Sequence, residues 1–524
     1  MPLMGSLYLG TSGLQTSQNS LNTTGHNITN ANTVGYTRQQ ILYNTRRYNT
    51  LSKSTAKISN EQVGLGVQYS KTRAVRDVFL DKTFRKESGR SMFYETSTNA
   101  LDEVETLLGE FSGEEFSDGL ENFWTAIQEL VKDPTSATVQ GLFVQRASQL
   151  TERAKAVYDG LVDYQNKLNT SISGMVDQIN AIGHDIALLN DQIVEIQAAG
   201  IETPNDLRDQ RDLLLDELGK LVNMTYTENV EGYVAIQIEG TDFLKGDQVY
   251  EIGLSTDAVT GFVTPYWKFA ANWRTNDAGE RYLDISGAQV FDLKKEISTQ
   301  MNTDVGQLKA TLLARGDKHA TYKDIDVEGG STDINTYNTD IAQSVIMNVE
   351  AEFDQLMQRL TTAVNTVLES ASNQYKPLFV MVDPAEGFTT TNIIVNPWYV
   401  DSPTNLSMMR ADDQADYETA QKLAQVFQDE RYTLNPNVAT KVSFLQYYNG
   451  LVTQVANSAY VNRAISESQE NTVSSIDEAR QQIAGVSTDE ELQYMIMFQN
   501  AYNASSRYIN VVNDMLEGLL TTLS

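Results

Sequence analysis

The sequence predicts a multidomain, mainly α-helical protein with a β-rich insertion. Its N- and C-terminal helices are expected to pair as a coiled coil, with a helical bundle next and a β domain at the centre of the chain. Near the C-terminus, Met495, Phe498, Tyr502, Ser505, Ile509, Val512, Leu516, Leu519 and Leu523 step by threes and fours. A seam of about four heptads reads as coiled coil rather than as an ordinary amphipathic helix. Near the N-terminus Leu7, Leu14, Leu21 and Ile28 repeat every seven residues, and Gly10, Ser17, Thr24 and Ala31 hold the other seam position. Large-small alternation lets a second helix approach closely, so the two ends are expected to meet. The alternative is that each end packs on its own local domain. Between them the apolar period changes from helical to alternating after Thr225 and back again, which marks the insertion.

Met1 to Thr37 contains no Asp, Glu, Lys or Arg. A polar but uncharged helix suits a crowded assembly, where an unpaired charge would be costly; the segment reads equally as a polar tail that orders on packing. Gly35 within Asn32–Tyr36 ends this helix. Arg38 to Arg76 alternates loosely, as short strands or an extended linker, and carries Arg38, Arg46, Arg47, Lys53, Lys57, Lys71, Arg73 and Arg76 against Glu61. It reads either as a solvated loop or as a strip that meets acidic neighbours in an assembly.

Amphipathic helices follow at Asp77–Gly109, Ser117–Lys132 and Ala137–Tyr158, with a break at Asp133-Pro134. A long helix continues from Val157 to Ile196, with one stutter between Leu168 and Ile172 that locally unwinds a supercoil. Gly200 and Pro204 end it, and Leu207–Leu221 makes the next. Strand alternation begins at Tyr233–Ile238 and short strands run to about Phe291. Helix returns at Gly306–Asp317 and Asp333–Ala371, and again from Val442 to Ile483. Ser487 and Glu490 offer a capping box for the last helix. The expected partition is 1–76 with 484–524 as a terminal assembly unit with linker, and 77–224 with 301–372 and 438–483 as a bundle. Residues 225–300 form the β-rich domain, and 373–437 a mixed insertion or small second domain.

The chain has 39 basic and 69 acidic residues and a net charge of −30. Such a surface repels phosphate backbones and anionic headgroups, so neither nucleic acid nor membrane is an expected partner. With no cysteine, disulfides, thiolate metal sites and cysteine nucleophiles are excluded. The opening MPLMGSLYLGTSG lacks the basic flank and apolar core of a cleavable signal, and no apolar run is long enough to span a membrane. His26, His184 and His319 stand apart from one another, and no phosphate loop, dinucleotide fingerprint or zinc-protease motif occurs. Paired acids such as Glu114-Glu115 and Asp412-Asp413 are expected by chance in so acidic a chain. No catalytic, cofactor or metal site is therefore expected. The run Asp206, Arg208, Asp209, Arg211, Asp212 reads as a solvated helix face of mutually paired charges.

Two segments carry a resemblance. LNTTGHNITNANTVGYTRQQ, Leu21 to Gln40, is similar to the N-terminal signature of bacterial flagellar rod, hook and hook-associated proteins, and GVSTDEELQYMIMFQNAYNASSRYINVVNDML, Gly485 to Leu516, resembles their C-terminal one. PNDLRDQRDLLLDELGKLV, Pro204 to Val222, resembles a segment of the members at the hook–filament junction. The resemblance implies a structural, self-assembling adaptor joining hook to filament, located in the extracellular flagellum after export through the flagellar type III apparatus. Implied partners are a ring of like subunits, the hook protein, the next hook-associated protein on the filament side, and an export chaperone on the C-terminal region. Asn27, Asn30, Asn32, Gly35 and Tyr36 of the matching motif join the two seams as expected assembly-interface residues. The alternatives are a hook or rod subunit of the same family or, from another class, a glycan-cleaving enzyme.

Overall fold

A computed structural model describes residues 2–46, 49–53, 60–109, 115–198, 203–275, 281–327, 329–371, 375–410 and 412–523. Arg47, Lys57, Glu114 and Gly200, and the side chains of Lys53, Glu61 and Leu523, lie outside the described residues. The uncharged N-terminal stretch is helix α1 (Pro2–Thr29). The basic stretch after it is a two-part antiparallel ribbon: β1 (Gln39–Thr45) pairs with β4 (Val67–Ala74), and β2 (Asn49–Lys53) with β3 (Asn60–Val63).

Four helices follow, α2 (Val78–Leu107), α3 (Phe116–Lys132), α4 (Ala137–Ala198) and α5 (Asn205–Leu221). The two helices expected across Tyr158 are one, because no proline interrupts the 62 residues of α4. At ~1.5 Å per residue it is a rod of roughly 93 Å. Its first half packs Phe143, Leu150 and Leu161 into one core, and its second half packs Ile172, Ile179 and Ile186 into another. The stutter at Leu168–Ile172 falls where α4 passes from the first core to the second. An extra four-step rotates the apolar stripe, which is what a helix serving two cores needs.

The second core belongs to the β-rich region. A four-stranded antiparallel sheet contains β5 (Met224–Glu228), β6 (Val234–Ile238), β7 (Thr241–Lys245) and β8 (Gln248–Val249) in that order. Two hairpins complete it, β9 (Ile252–Thr256) with β10 (Val263–Trp267) and β11 (Asn272–Thr275) with β12 (Arg281–Asp284). Val234, Ile236 and Ile238 face inward, as their alternation requires.

Helix α6 (Gln307–Arg315) leads to α7 (Ile334–Thr336), one π-helical turn, and the buried α8 (Val345–Glu369). Beyond it come β13 (Phe379–Met381), β14 (Ile393–Val395), α9 (Pro397–Asp401) and α10 (Tyr417–Gln428). These do not stand apart as a core of their own. Phe379, Ile393, Leu423 and Phe427 join the bundle core, where Phe123 lies 6.3 Å from Phe379 and 6.2 Å from Phe427 between ring centroids. After the short pair β15 (Tyr432–Thr433) and β16 (Lys441–Val442), α11 (Phe444–Ala484) and α12 (Thr488–Leu523) close the chain.

Helix α8 buries three acids in consecutive alternate positions, Glu350, Glu352 and Asp354. They receive hydrogen bonds from three segments, around 320–322, 390 and 435. Ala320 N–H donates to Glu350 at 2.9 Å, Asn435 Nδ2 to Glu352 at 2.7 Å, and Tyr322 N–H and Thr390 Oγ1 to Asp354 at 2.9 and 2.7 Å. Burial outweighs these bonds and pushes Glu352 up to about 7 and Asp354 up to about 6, with Glu350 also raised.

A raised folded-state pKa means that the native state holds the proton more tightly than the unfolded chain does. The resulting stabilisation is complete below about pH 4 and is lost as pH rises through roughly 6 to 7. The melting temperature is expected to fall between about pH 5.5 and pH 8, and Glu352→Gln to flatten that fall, as read by circular dichroism. A melting temperature that rises over this interval would contradict the assignment.

Candidate functional site

Helices α1 and α12 lie antiparallel. A Cβ on Gly10 would lie 2.7 Å from Ile509 Cγ1, so only a residue without a side chain fits there. Gly10 of the expected α1 seam thus meets Ile509 of the expected α12 seam. Met495, Phe498, Tyr502, Ser505, Ile509 and Leu516 are half-buried and Val512 is buried. On α1 the most buried row is small and polar, with Gly10, Ser17, Ser20, Thr24 and Asn27 beneath the partner helix and the ribbon, whereas Leu7, Leu14, Leu21 and Ile28 flank it half-buried. Leu519 is 45 % exposed. Because position 10 meets 509 and the helices run oppositely, position 519 falls past the beginning of α1. A second apolar stripe on α12, Met497, Tyr508, Val511 and Met515, faces solvent in the single chain.

At the base of this pair the three motif segments meet. Gly35, at φ +80°, turns the chain from α1 into the ribbon, a conformation that glycine adopts without strain. Asn27 is buried and brackets Gln39: its Nδ2 donates to Gln39 O at 3.0 Å and its Oδ1 accepts from Gln39 N–H at 3.0 Å. Tyr36 OH donates to Asn27 Oδ1 at 2.8 Å and lies 2.9 Å from His26 Nδ1. Asn30 Nδ2 donates to His26 O at 3.0 Å, closing the end of α1, and Asn32 is exposed. From α5, Asp209 accepts from Thr37 N–H at 2.9 Å and Asp206 from Gln39 Nε2 at 2.8 Å. From the last connection, Ala484 O accepts from Arg38 N–H at 2.8 Å, and Arg38 pairs with the buried Glu491 at 3.3 Å. The Glu490 carboxylate lies 3.6 Å from Arg38, and the expected capping box contributes the bond from Glu490 N–H to Ser487 Oγ at 3.4 Å.

The charges of α5 are not a solvated face. Asp209 is 5 % exposed and Arg211 is 2 % exposed. At ~100° per residue, Asp209, Asp212 and Asp216 share one side of the helix while Arg208 and Arg211 point to the other. The acidic side receives three guanidiniums. Arg76 pairs with Asp212 and, at 3.2 Å, with Asp81; Arg85 reaches Asp212 at 2.9 Å and Asp216 at 2.6 Å; Arg480 reaches Asp81 at 3.0 Å and Asp216 at 2.9 Å. The basic side ties α5 to the β region, with Arg211 donating to Gly232 O at 2.7 Å and Asn190 Oδ1 at 3.0 Å and pairing with Glu228 at 2.9 Å.

Burial works against the charge on Arg85, but Asp216 and Asp212 more than offset it and hold it above the ordinary range. Burial pushes Asp209 up to about 6, even though Thr37 N–H and Arg76 favour its ionised form. Asp81, Arg85 and Arg480 were not among the residues expected to matter. The available signal was three acids of α5 on one side with no base among them.

Arg85→Ala is expected to cost about 3–5 kcal/mol, because it strands Asp212 and Asp216 in a low-dielectric site. Denaturant unfolding measures this. A cost within about 0.5 kcal/mol, as for an ordinary surface change, would overturn the cluster's structural weight.

The chain is similar to known proteins over its whole described architecture and at both ends. The family model described as flagellar hook-associated protein FlgK helical domain matches residues 101–375. Those described as flagella basal body rod protein and flagellar basal body rod FlgEFG protein C-terminal match 7–37 and 477–522. Flagellar hook-associated protein 1 of Bacillus subtilis (strain 168) is 27% identical over 518 residues, spanning 97% of this chain and 96% of that one. Its namesake in Escherichia coli (strain K12) is 24% identical over 556 residues, spanning 97% and 98%. The solved flagellar hook junction protein FlgK from Burkholderia pseudomallei shares the fold at TM-score 0.56 and 12% identity, covering 77% of this chain and 100% of that one. With more than half of its length matched by the helical-domain model, the chain belongs to the flagellar hook-associated protein FlgK family.

Proposed function

We propose that this chain is a structural subunit of the bacterial flagellum, a self-assembling adaptor that joins hook to filament. The observation that carries this is end-to-end similarity, over 97% of the chain, to proteins named for that position. Antiparallel pairing of the two end segments supports it, because those segments also match the rod-protein models. The work is physical rather than chemical. Like subunits stand side by side and contact hook and filament-side flagellar proteins.

The assembly interface we assign comprises Leu7, Leu14, Leu21 and Ile28, which flank the pair, and Met495, Phe498, Tyr502, Ile509, Val512, Leu516, Leu519 and Leu523 of α12. Asn27, Asn30, Asn32, Gly35 and Tyr36 shape its base. Burying half-exposed leucines and the outer stripe of α12 against neighbours contributes ~25 cal/mol per Å². Residues 1–76 with 484–524 act as the assembly unit, while the bundle and the β-rich region set its spacing from the outer surface. Before assembly that apolar stripe needs shielding, which suits an export chaperone on the C-terminal region and export through the type III apparatus. The place of work we assign is the extracellular flagellum; no helix among the described residues is long and apolar enough to cross a membrane.

Deletion of the gene is expected to leave bare hooks on the cell and unpolymerised flagellin in the medium, seen by electron microscopy and immunoblot. Absent hooks would move the protein to the hook or rod, and normal filaments would overturn the reading. Gly10→Val is expected to reproduce the deletion while leaving the bundle's thermal transition in place, since its branched side chain has no room beside Ile509.

A further inference from the structure

The ribbon β1–β4 presents basic residues that no acid among the described residues pairs with. It sits on α1, where Tyr43 OH donates to Thr16 O at 2.9 Å and lies 2.6 Å from Ser20 Oγ. Two of the basic residues around it, Arg38 and Arg76, turn inward to the joint. Lys71 and Arg73 do not: both are exposed on β4, Arg73 bonds only the amide of Gln40 at 3.1 Å, and no carboxylate among the described residues pairs with either. Along 38–46 and 64–76 there is no acid at all.

The opposite sign occurs at the same joint. From Ala464 to Ala479, α11 carries Glu467, Glu470, Asp477 and Glu478 and no lysine or arginine. Glu467, Glu470 and Glu478 are exposed and, among the described residues, pair with no cation. Asp477 approaches Arg480 only at 3.8 Å. Both surfaces hang from one point, since Arg38 N–H donates to Ala484 O at 2.8 Å and Val75 N–H to Arg38 O at 2.9 Å. Lys71 is five residues of strand from Arg76, or ~17 Å, and Glu470 is fourteen residues of helix from Ala484, or ~21 Å. The two patches therefore lie at similar distances from the joint on different elements.

We infer that the basic face of the β1–β4 ribbon, centred on Lys71 and Arg73, docks on the acidic stretch Glu467–Glu478 of α11 in a second copy of this chain. The inference rests on the assembly reading above. A closed ring needs two different, complementary surfaces per subunit, so that each copy's first surface meets its neighbour's second. Copies of net charge −30 repel one another, and local complementarity is what fixes their register against that repulsion. Exposed pairs of this kind are screened by salt, so the contact is ionic-strength dependent.

The test uses cells producing the full-length chain as the sole copy. Lys71→Glu with Arg73→Glu is expected to lower the fraction of hooks bearing filaments by about ten-fold or more, with the protein still found in the medium and its thermal melt unchanged. Adding Glu467→Lys and Glu470→Lys to the same chain reverses both surfaces and is expected to restore filaments. Normal filaments with the double reversal, or no restoration by the quadruple variant when it folds and is secreted, would overturn the contact. If the double reversal fails to fold, Lys71→Gln with Arg73→Gln gives the same readout without placing acids on the ribbon. The deletion separates the two claims. Filaments that persist without the gene sink the junction reading, whereas filaments lost on deletion but kept in the folded Lys71/Arg73 variant sink the docking contact alone.

Discussion

Three carboxylates on one side of α5 cannot enter a low-dielectric joint unless cations come with them, and this requirement organises the structure. Asp209, Asp212 and Asp216 draw in Arg76 from the end of the ribbon, Arg85 from α2 and Arg480 from α11. Each of the three lies more than a hundred residues from α5 in the chain, so closing the charge balance closes the tertiary connection as well. A buried ion cluster adds little net stability over an apolar core, because desolvation cancels much of the attraction. What it adds is geometry. Each guanidinium presents a planar fork that accepts only a narrow range of carboxylate positions.

That geometry matters because the terminal helices have few other attachments to the body of the protein. Among the described residues, the hairpin of α1 and α12 contributes none to the larger apolar cores, which are formed by the bundle and the β-rich region. Its direction is set at the joint by Thr37 and Gln39 on α5, by Arg38 on Glu491, and by the backbone bond to Ala484. A subunit that must stack beside copies of itself needs this angle to be the same in every copy. A polar joint with directional bonds holds an angle better than an apolar contact that can slide. On the opposite side of α5, Arg211 fastens the β region, so one short helix relates the hairpin, the bundle and the β domain.

Helix α4 provides the long dimension. It crosses from the bundle core to the β core without a break, and the insertion therefore projects along its axis rather than on a flexible tether. At the crossing point, Gln165 is fully buried and donates to Arg315 O at 2.8 Å, so the change of core is satisfied by a side chain rather than left open. The buried acids of α8 play a similar part in the bundle, Glu350 and Asp354 holding the segment around 320–322 and Glu352 the turn at Asn435.

Periodicity alone determined the helices, the β-rich centre, the stutter in α4 and the complementary terminal seams, because these follow from which face of a local element must be apolar. The end motifs determined the family. Tertiary structure decided what periodicity does not encode. Asp212 has Arg208 four residues before it, a pair that on an isolated helix would lie on a solvated face. Instead Asp209 is buried and Asp212 half-buried, because Arg76 and Arg85 arrive from distant parts of the chain. The mixed pattern of 373–437 reads as an insertion or small second domain, yet Phe379 and Phe427 complete the bundle core around Phe123. Likewise the leucines of α1 carry the stronger repeat, but the small row of Gly10, Ser17 and Thr24 lies directly under α12. In each case a local pattern shows that a residue needs a partner, and only the folded chain supplies it, because burial depends on contacts between residues that are far apart in sequence.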